Sequence, residues 1–143
     1  MRRLLLASVL ALPSAALVTA APVVKGPDRG TLVIVGGGRL VPEILTRLFD
    51  LAGGKDAAVV FIPTAGGQAA HPADWSGLKP FMDFGATNVT LLHTTDRAVA
   101  DSEAFVRPIT TARAVWFPGG RQWHLVDSYL HTRTEHEVER AGD

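Results

Sequence analysis

The 143-residue sequence contains no cysteine. That excludes disulfide bridges, thiolate nucleophiles and cysteine-ligated metal sites, so stability has to come from packing. A charge imbalance is also missing. With 14 basic and 14 acidic residues, nothing points to a nucleic-acid or anionic-membrane partner. No G-x-x-x-x-G-K-(S/T) run occurs, which removes the P-loop class of phosphate sites. What remains is 47% hydrophobic and 20% charged, the make-up of one ordinary globular domain. A chain of this size buries roughly two thirds of its unfolded surface, enough for a core of its own.

The first twenty residues, MRRLLLASVLALPSAALVTA, pair two arginines with an apolar stretch from Leu4 to Leu12 and then small residues. This is the layout of a secretory signal peptide. The stretch is too short for a membrane span, which needs about 20 apolar residues. Residues 1–20 are therefore expected to direct export to the periplasm or beyond and to leave no membrane attachment once removed. Residues 21–29 read as an extended lead-in, and 30–143 as the folded part.

From Gly30 a pattern repeats: a β-branched run, a turn rich in Gly or Pro, and a helical stretch. Strands are expected at Thr31–Val35, Ala57–Ile62, Asn88–Leu92 and Ala112–Phe117, the first of them continuous and apolar as in a strand covered on both faces. Pro42 and Glu43 open a helix whose apolar face is Ile44, Leu45, Leu48, Leu51 and Ala52, closed by Gly53-Gly54. Pro72–Phe84 is helical in pattern but kinked or broken by Gly77 and Pro80. A brief helical turn is expected near Ser102–Val106, then helices at Gln122–Leu130 and about Thr134–Ala141. Thr134 with Glu137, or Thr132 with Glu135, has capping-box spacing. Strands alternating with helices predict an α/β fold, an open parallel sheet with right-handed crossovers and helices on both faces. Ligands in such folds sit beyond the carboxyl ends of the strands. Three of the four strands deliver glycine or proline there: Gly36–Gly38, Pro63–Gly67 and Pro118–Gly120.

Gly36 and Gly38 match two glycines of G-x-G-x-x-G, but the third position is Val41, and the second strand ends in Ile62-Pro63-Thr64 without an acidic residue for a ribose. A dinucleotide is therefore disfavoured. His124, Ser128 and His131, with Asp127, lie near one helical face. A serine within a helix has no free pair of backbone N–H groups beside it for an oxyanion, so these are expected to be solvent-facing polar residues. The five histidines show no metal-ligand spacing, and no cofactor is implied. Asn88-Val89-Thr90 has the form of a glycosylation sequon and is read as strand sequence. In WFPGGRQ, the run ending at Gly119 and Gly120, backbone N–H groups are free of any Cβ that would block an approaching oxyanion. A tight connection without a ligand is the other reading of that turn.

Taken together, RGTLVIVGGG, LAGGKDAAVVFIPTAGG, FGATNVTLLH and ARAVWFPGGRQWHLVDSYLHTRT resemble, in order and spacing, the cyanophycinase and peptidase E family of serine peptidases. The resemblance runs from about Gly30 to Gly142. It implies a class I glutamine amidotransferase-like fold and hydrolysis of peptide bonds in aspartyl peptides or in cyanophycin, a poly-aspartate carrying arginine branches. In that family the Gly-Gly turn helps form the oxyanion pocket and a nearby Gln faces the substrate, roles that fall on Gly119, Gly120 and Gln122. Arg121 stands where many members have Asp, which reverses a charge at the mouth of the site and makes it a candidate substrate contact. His131 stands where a glycine usually precedes the threonine.

Family members continue past the last helix with a strand and a G-G-(T/S)-S-A-G turn that carries the nucleophile. None of Ser8, Ser14, Ser76, Ser102 or Ser128 lies in such a turn. The expectation is an N-terminal portion of an exported serine-type peptidase, incomplete at its C-terminus, with the catalytic serine beyond Asp143 and no activity alone. The alternative is a secreted peptide-binding remnant. The implied partner is a peptide substrate, with a homodimer left open.

Overall fold

A computed structural model describes residues 30–72 and 74–141. The expected signal peptide and lead-in lie outside the described residues. Helix α1 spans Pro42–Ala52 and is followed by strand β1 (Val59–Phe61), a 3-10 turn (Pro63–Gly66) and helix α2 (Lys79–Phe84). Strand β2 (Val89–Leu91), helices α3 (Arg97–Ala100) and α4 (Glu103–Thr110) and strand β3 (Ala114–Trp116) come next. Helices α5 (Gln122–Tyr129) and α6 (Arg133–Arg140) close the described chain.

The fold is α/β, as expected: an open parallel sheet in the order β2-β1-β3, with Val60 opposite Thr90 on one side and Val115 on the other. Because side chains alternate along a strand, the central β1 serves two cores. Val59 and Phe61 join Leu45, Leu48 and Phe49 of α1 and Phe81 of α2. Val60 and Ile62 join Ala100, Ile109 and Tyr129 on the opposite face. Aromatic contacts dominate the first core, where Phe81 meets the edges of Phe61 and Trp116 at 5.3 and 5.5 Å between ring centroids. Continuous β-branched sequence at β1 thus reflects burial on both faces.

Several expectations need correction. The first concerns Thr31–Val35, which is not a strand. A strand requires a neighbour's backbone groups, and the edge on this side, β3, lies across a crevice of about 410 Å³ that Thr31–Val33 help to line. Val33 and Val35 are half-buried, whereas Leu32 and Ile34 are 75% and 82% exposed. The Gly36–Gly38 turn accordingly does not belong to the sheet edge. Leu51, expected on the buried face of α1, is also exposed, and it lines the same crevice.

Second, neither capping box forms: Thr132 Oγ1 donates to Tyr129 O and Thr134 Oγ1 to Ala100 O. Glu135 reaches instead to the N–H of His131, which has the left-handed φ of 60°. That conformation explains why glycine suits the position. Third, the brief turn expected near Ser102 is a full helix, α4, capped by the Ser102 hydroxyl at the N–H of Phe105.

The remaining elements fall close to expectation. Gly77 and Pro80 do break their helix, with a 3-10 turn at Ser76–Leu78 and Pro80 within the first turn of α2.

Candidate functional site

Parallel strands put their carboxyl ends on one edge, so the segments after β1 and β3 meet there. Pro63–Gly67 leaves β1 in a tight 3-10 turn, and Phe117–Gly120 leaves β3 to open α5. The two are packed together. The Arg121 N–H donates to Ala65 O at 2.8 Å. A Cβ on Gly120 would overlap the Ala65 carbonyl, so only glycine allows this approach. Gly119 faces open space, with nothing near its missing Cβ.

Gly119, Gly120, Arg121 and Gln122 are all exposed. Among the described residues, the N–H groups of Gly119 and Gly120 have no protein partner, whereas that of Arg121 is taken. The Arg121 guanidinium lies 5.5 Å from the Trp123 ring centroid and makes no ion pair among the described residues. Trp123 is itself 51% exposed. The edge therefore presents two bare amides beside one cation held against an aromatic face.

Below this edge lies a polar cluster that the sequence reading did not assemble. Thr64, fully buried, sits 2.8 Å from His93 Nδ1 and 2.6 Å from the Tyr129 hydroxyl. Tyr129 also accepts from the N–H of Thr94 at 3.4 Å, and His93 Nε2 lies 3.3 Å from Ala69 O. His71 packs against the rings of His93 and Trp75, and its buried Nε2 has no partner among the described residues. Burial, then the neighbouring His93, lowers the pKa of His71. Burial raises that of Tyr129, partly opposed by the Thr94 N–H that donates to its oxygen. The sequence signals were faint: the single tyrosine of the chain, and a threonine directly after an apolar strand.

His124 packs against Gly67, and Ser128 is buried at 4% exposure. Ser128 is thus not solvent-facing as expected. Neither Ser128 nor Thr64 is open to a substrate, and Ser102 is used as a cap. Among the described residues no three His, Cys, Asp or Glu side chains are grouped to hold a metal ion. No described helix is long and apolar enough to cross a membrane.

A glycine turn of this kind can stabilise an oxyanion if a nucleophile is delivered to it. A curated cyanophycinase from Geminocystis herdmanii is 27% identical over 100 residues, 68% of this chain. The chain is distantly related to cyanophycinases. The matched part is 36% of that cyanophycinase, so the chain spans well under half of its relative. No family model matches the chain.

Proposed function

We propose that residues 30–143 are the N-terminal part of an exported, cyanophycinase-like serine-type peptidase acting on cyanophycin or aspartyl peptides. In this reading the amides of Gly119 and Gly120 receive the oxyanion, Gln122 orients the peptide, and a serine beyond Asp143 attacks the scissile carbonyl. The observation that carries it is the bare glycine turn at the carboxyl edge, locked to Ala65, on a chain distantly related to cyanophycinases. The crevice beside β3 adds support, because Ala141 at the end of α6 lines it and a following strand would enter there directly.

Arg121 is proposed to bind a carboxylate of the substrate. A guanidinium stacked on Trp123 is held in place without being neutralised. None of the described serines lies in a nucleophile turn, so in this reading the chain alone binds peptide and does not cut it. A secreted, non-catalytic peptide binder is the second reading.

The test begins with the gene. The coding sequence past Asp143 is read, and the protein carrying that continuation is assayed for dipeptide release from cyanophycin and aspartyl peptides. Release that is lost on replacing the continuation's serine supports the peptidase. A stop codon at that point, with peptide binding retained, supports the binder. Cleavage by the 143-residue chain itself overturns the assignment of the nucleophile.

A further inference from the structure

With a neutral His93 ring, one arrangement of hydrogens serves every contact of the Thr64 cluster. The Thr94 N–H can only donate, and it donates to the Tyr129 oxygen. The Ala69 carbonyl can only accept, so a neutral His93 ring carries its proton on Nε2 and accepts at Nδ1, which leaves Thr64 Oγ1 to accept from Tyr129, 2.6 Å away. The Thr64 proton is thereby directed to His93 Nδ1, and His93 holds its own proton on Nε2, facing the carbonyl of Ala69. The order runs Thr94 to Tyr129 to Thr64 to His93 to Ala69, with every hydrogen used once.

This chain of bonds also fixes α5 relative to the turn after β1. The start of α5 is tied by the Arg121 N–H to Ala65 O, and its last residue, Tyr129, is tied to Thr64, the neighbour of Ala65. Attachments from both ends of α5 to one turn constrain its orientation more than one alone does. That orientation decides whether Gly120 stays seated on the Ala65 carbonyl, a contact with no room for a methyl group.

We infer that Thr64 is a positioning residue for the Gly119–Gly120 turn, acting through Tyr129 and Ala65, with its hydroxyl oriented by His93. The inference rests on the peptidase reading only for its consequence, namely that the turn so held is the one that receives the oxyanion. The geometry itself is independent of any activity.

Amide hydrogen exchange on the full chain tests it. The Arg121 N–H reports the turn, and the N–H groups of Val59 and Arg113, bonded to Asn88 O and Ala58 O at the opposite edge, report the sheet. Thr64→Val keeps the shape and removes the hydroxyl, Tyr129→Phe removes the second attachment, and Thr64→Ser restores the hydroxyl. Arg121 exchange should accelerate about tenfold in Thr64→Val and Tyr129→Phe, the scale of one buried hydrogen bond. Val59 and Arg113 should be unchanged, and Thr64→Ser should return Arg121 toward the wild-type rate.

Equal acceleration at all three amides would mean general destabilisation and would overturn the positioning role. So would unchanged Arg121 exchange in both hydroxyl-less variants. Nitrogen-15 spectra of the wild-type His93 ring supply a check that needs no variant: they should show a bare Nδ1 and a protonated Nε2, and the opposite tautomer refutes the proton order. Any of these failures leaves the peptidase reading standing, and an inactive continuation protein leaves this one standing.

Discussion

The two flanks of β1 are built differently. At its carboxyl end, around Thr64, polar atoms are paired and backbone segments touch so closely that a single methyl group would not fit. Beyond β3, an apolar run and an unpaired strand edge face each other across an open crevice. Both regions start from similar sequence, an apolar run rich in β-branched residues, stopped by Gly36 in one and by Pro63 in the other. What separates them is the availability of a neighbour: the turn after β1 meets α5, whereas among the described residues nothing hydrogen-bonds to Thr31–Val35. Order in this protein follows partners more than local propensity.

If that contrast is right, the closed flank should be far less tolerant of change. Gly120→Ala should have the largest effect, a loss of about 2–4 kcal/mol, since a Cβ must displace the Ala65 backbone and cannot do so by rotating a side chain. Gly119→Ala, one residue away and open on its Cβ side, should cost much less. Urea unfolding of both variants measures the difference. Equal losses would mean that Ala65 does not hold the turn.

These positions also show where sequence reasoning works. The run Ala57–Ile62 and the capping glycine Gly53 were legible because burial on two faces and a left-handed helix end restrict residue type locally. The Gly119-Gly120 turn was legible as a candidate for the same reason. Thr31–Val35 has the composition of a buried strand, but pairing depends on a second segment and leaves no mark in the run itself. The Thr64 cluster was invisible because its members are 29 and 65 residues apart and the bonds set no local pattern. Ser128 was misread for a related reason: helical periodicity gives a face but does not say which side the sheet occupies.

Intermediate effects should come from two histidines. His131 occupies a left-handed φ at the α5–α6 junction, so His131→Gly should stabilise the chain by about 0.5–1 kcal/mol once the entropy of glycine is set against the relief of strain. The exposed His131–Glu135 contact at 3.9 Å contributes too little to reverse this. A rise in Tm checks it. His71 should make the closed flank acid-sensitive. Its folded pKa is lowered, so below about 6.5 the unfolded chain takes up a proton that the folded chain refuses, and stability falls as pH drops through that window. His71→Gln should flatten this part of the stability curve, and an unchanged slope between pH 7 and pH 5 would show that His71 is not held neutral.

The smallest effect should lie on the open flank, and its size depends on what fills the crevice. Leu32 lines the crevice and is 75% exposed, so Leu32→Lys should alter the stability of the 143-residue chain by less than about 0.5 kcal/mol. Solubility should improve, because a lysine beside an open edge opposes strand-to-strand association. In a protein continued past Asp143, with a strand seated between Thr31–Val35 and β3, the same lysine has to enter a packed interface. The cost there should rise to about 2 kcal/mol or more, the scale of replacing a buried aliphatic side chain by a charged one. A near-zero effect in both chains would mean that the crevice stays open in the longer protein as well. It would also remove the geometric support for a strand entering beside β3.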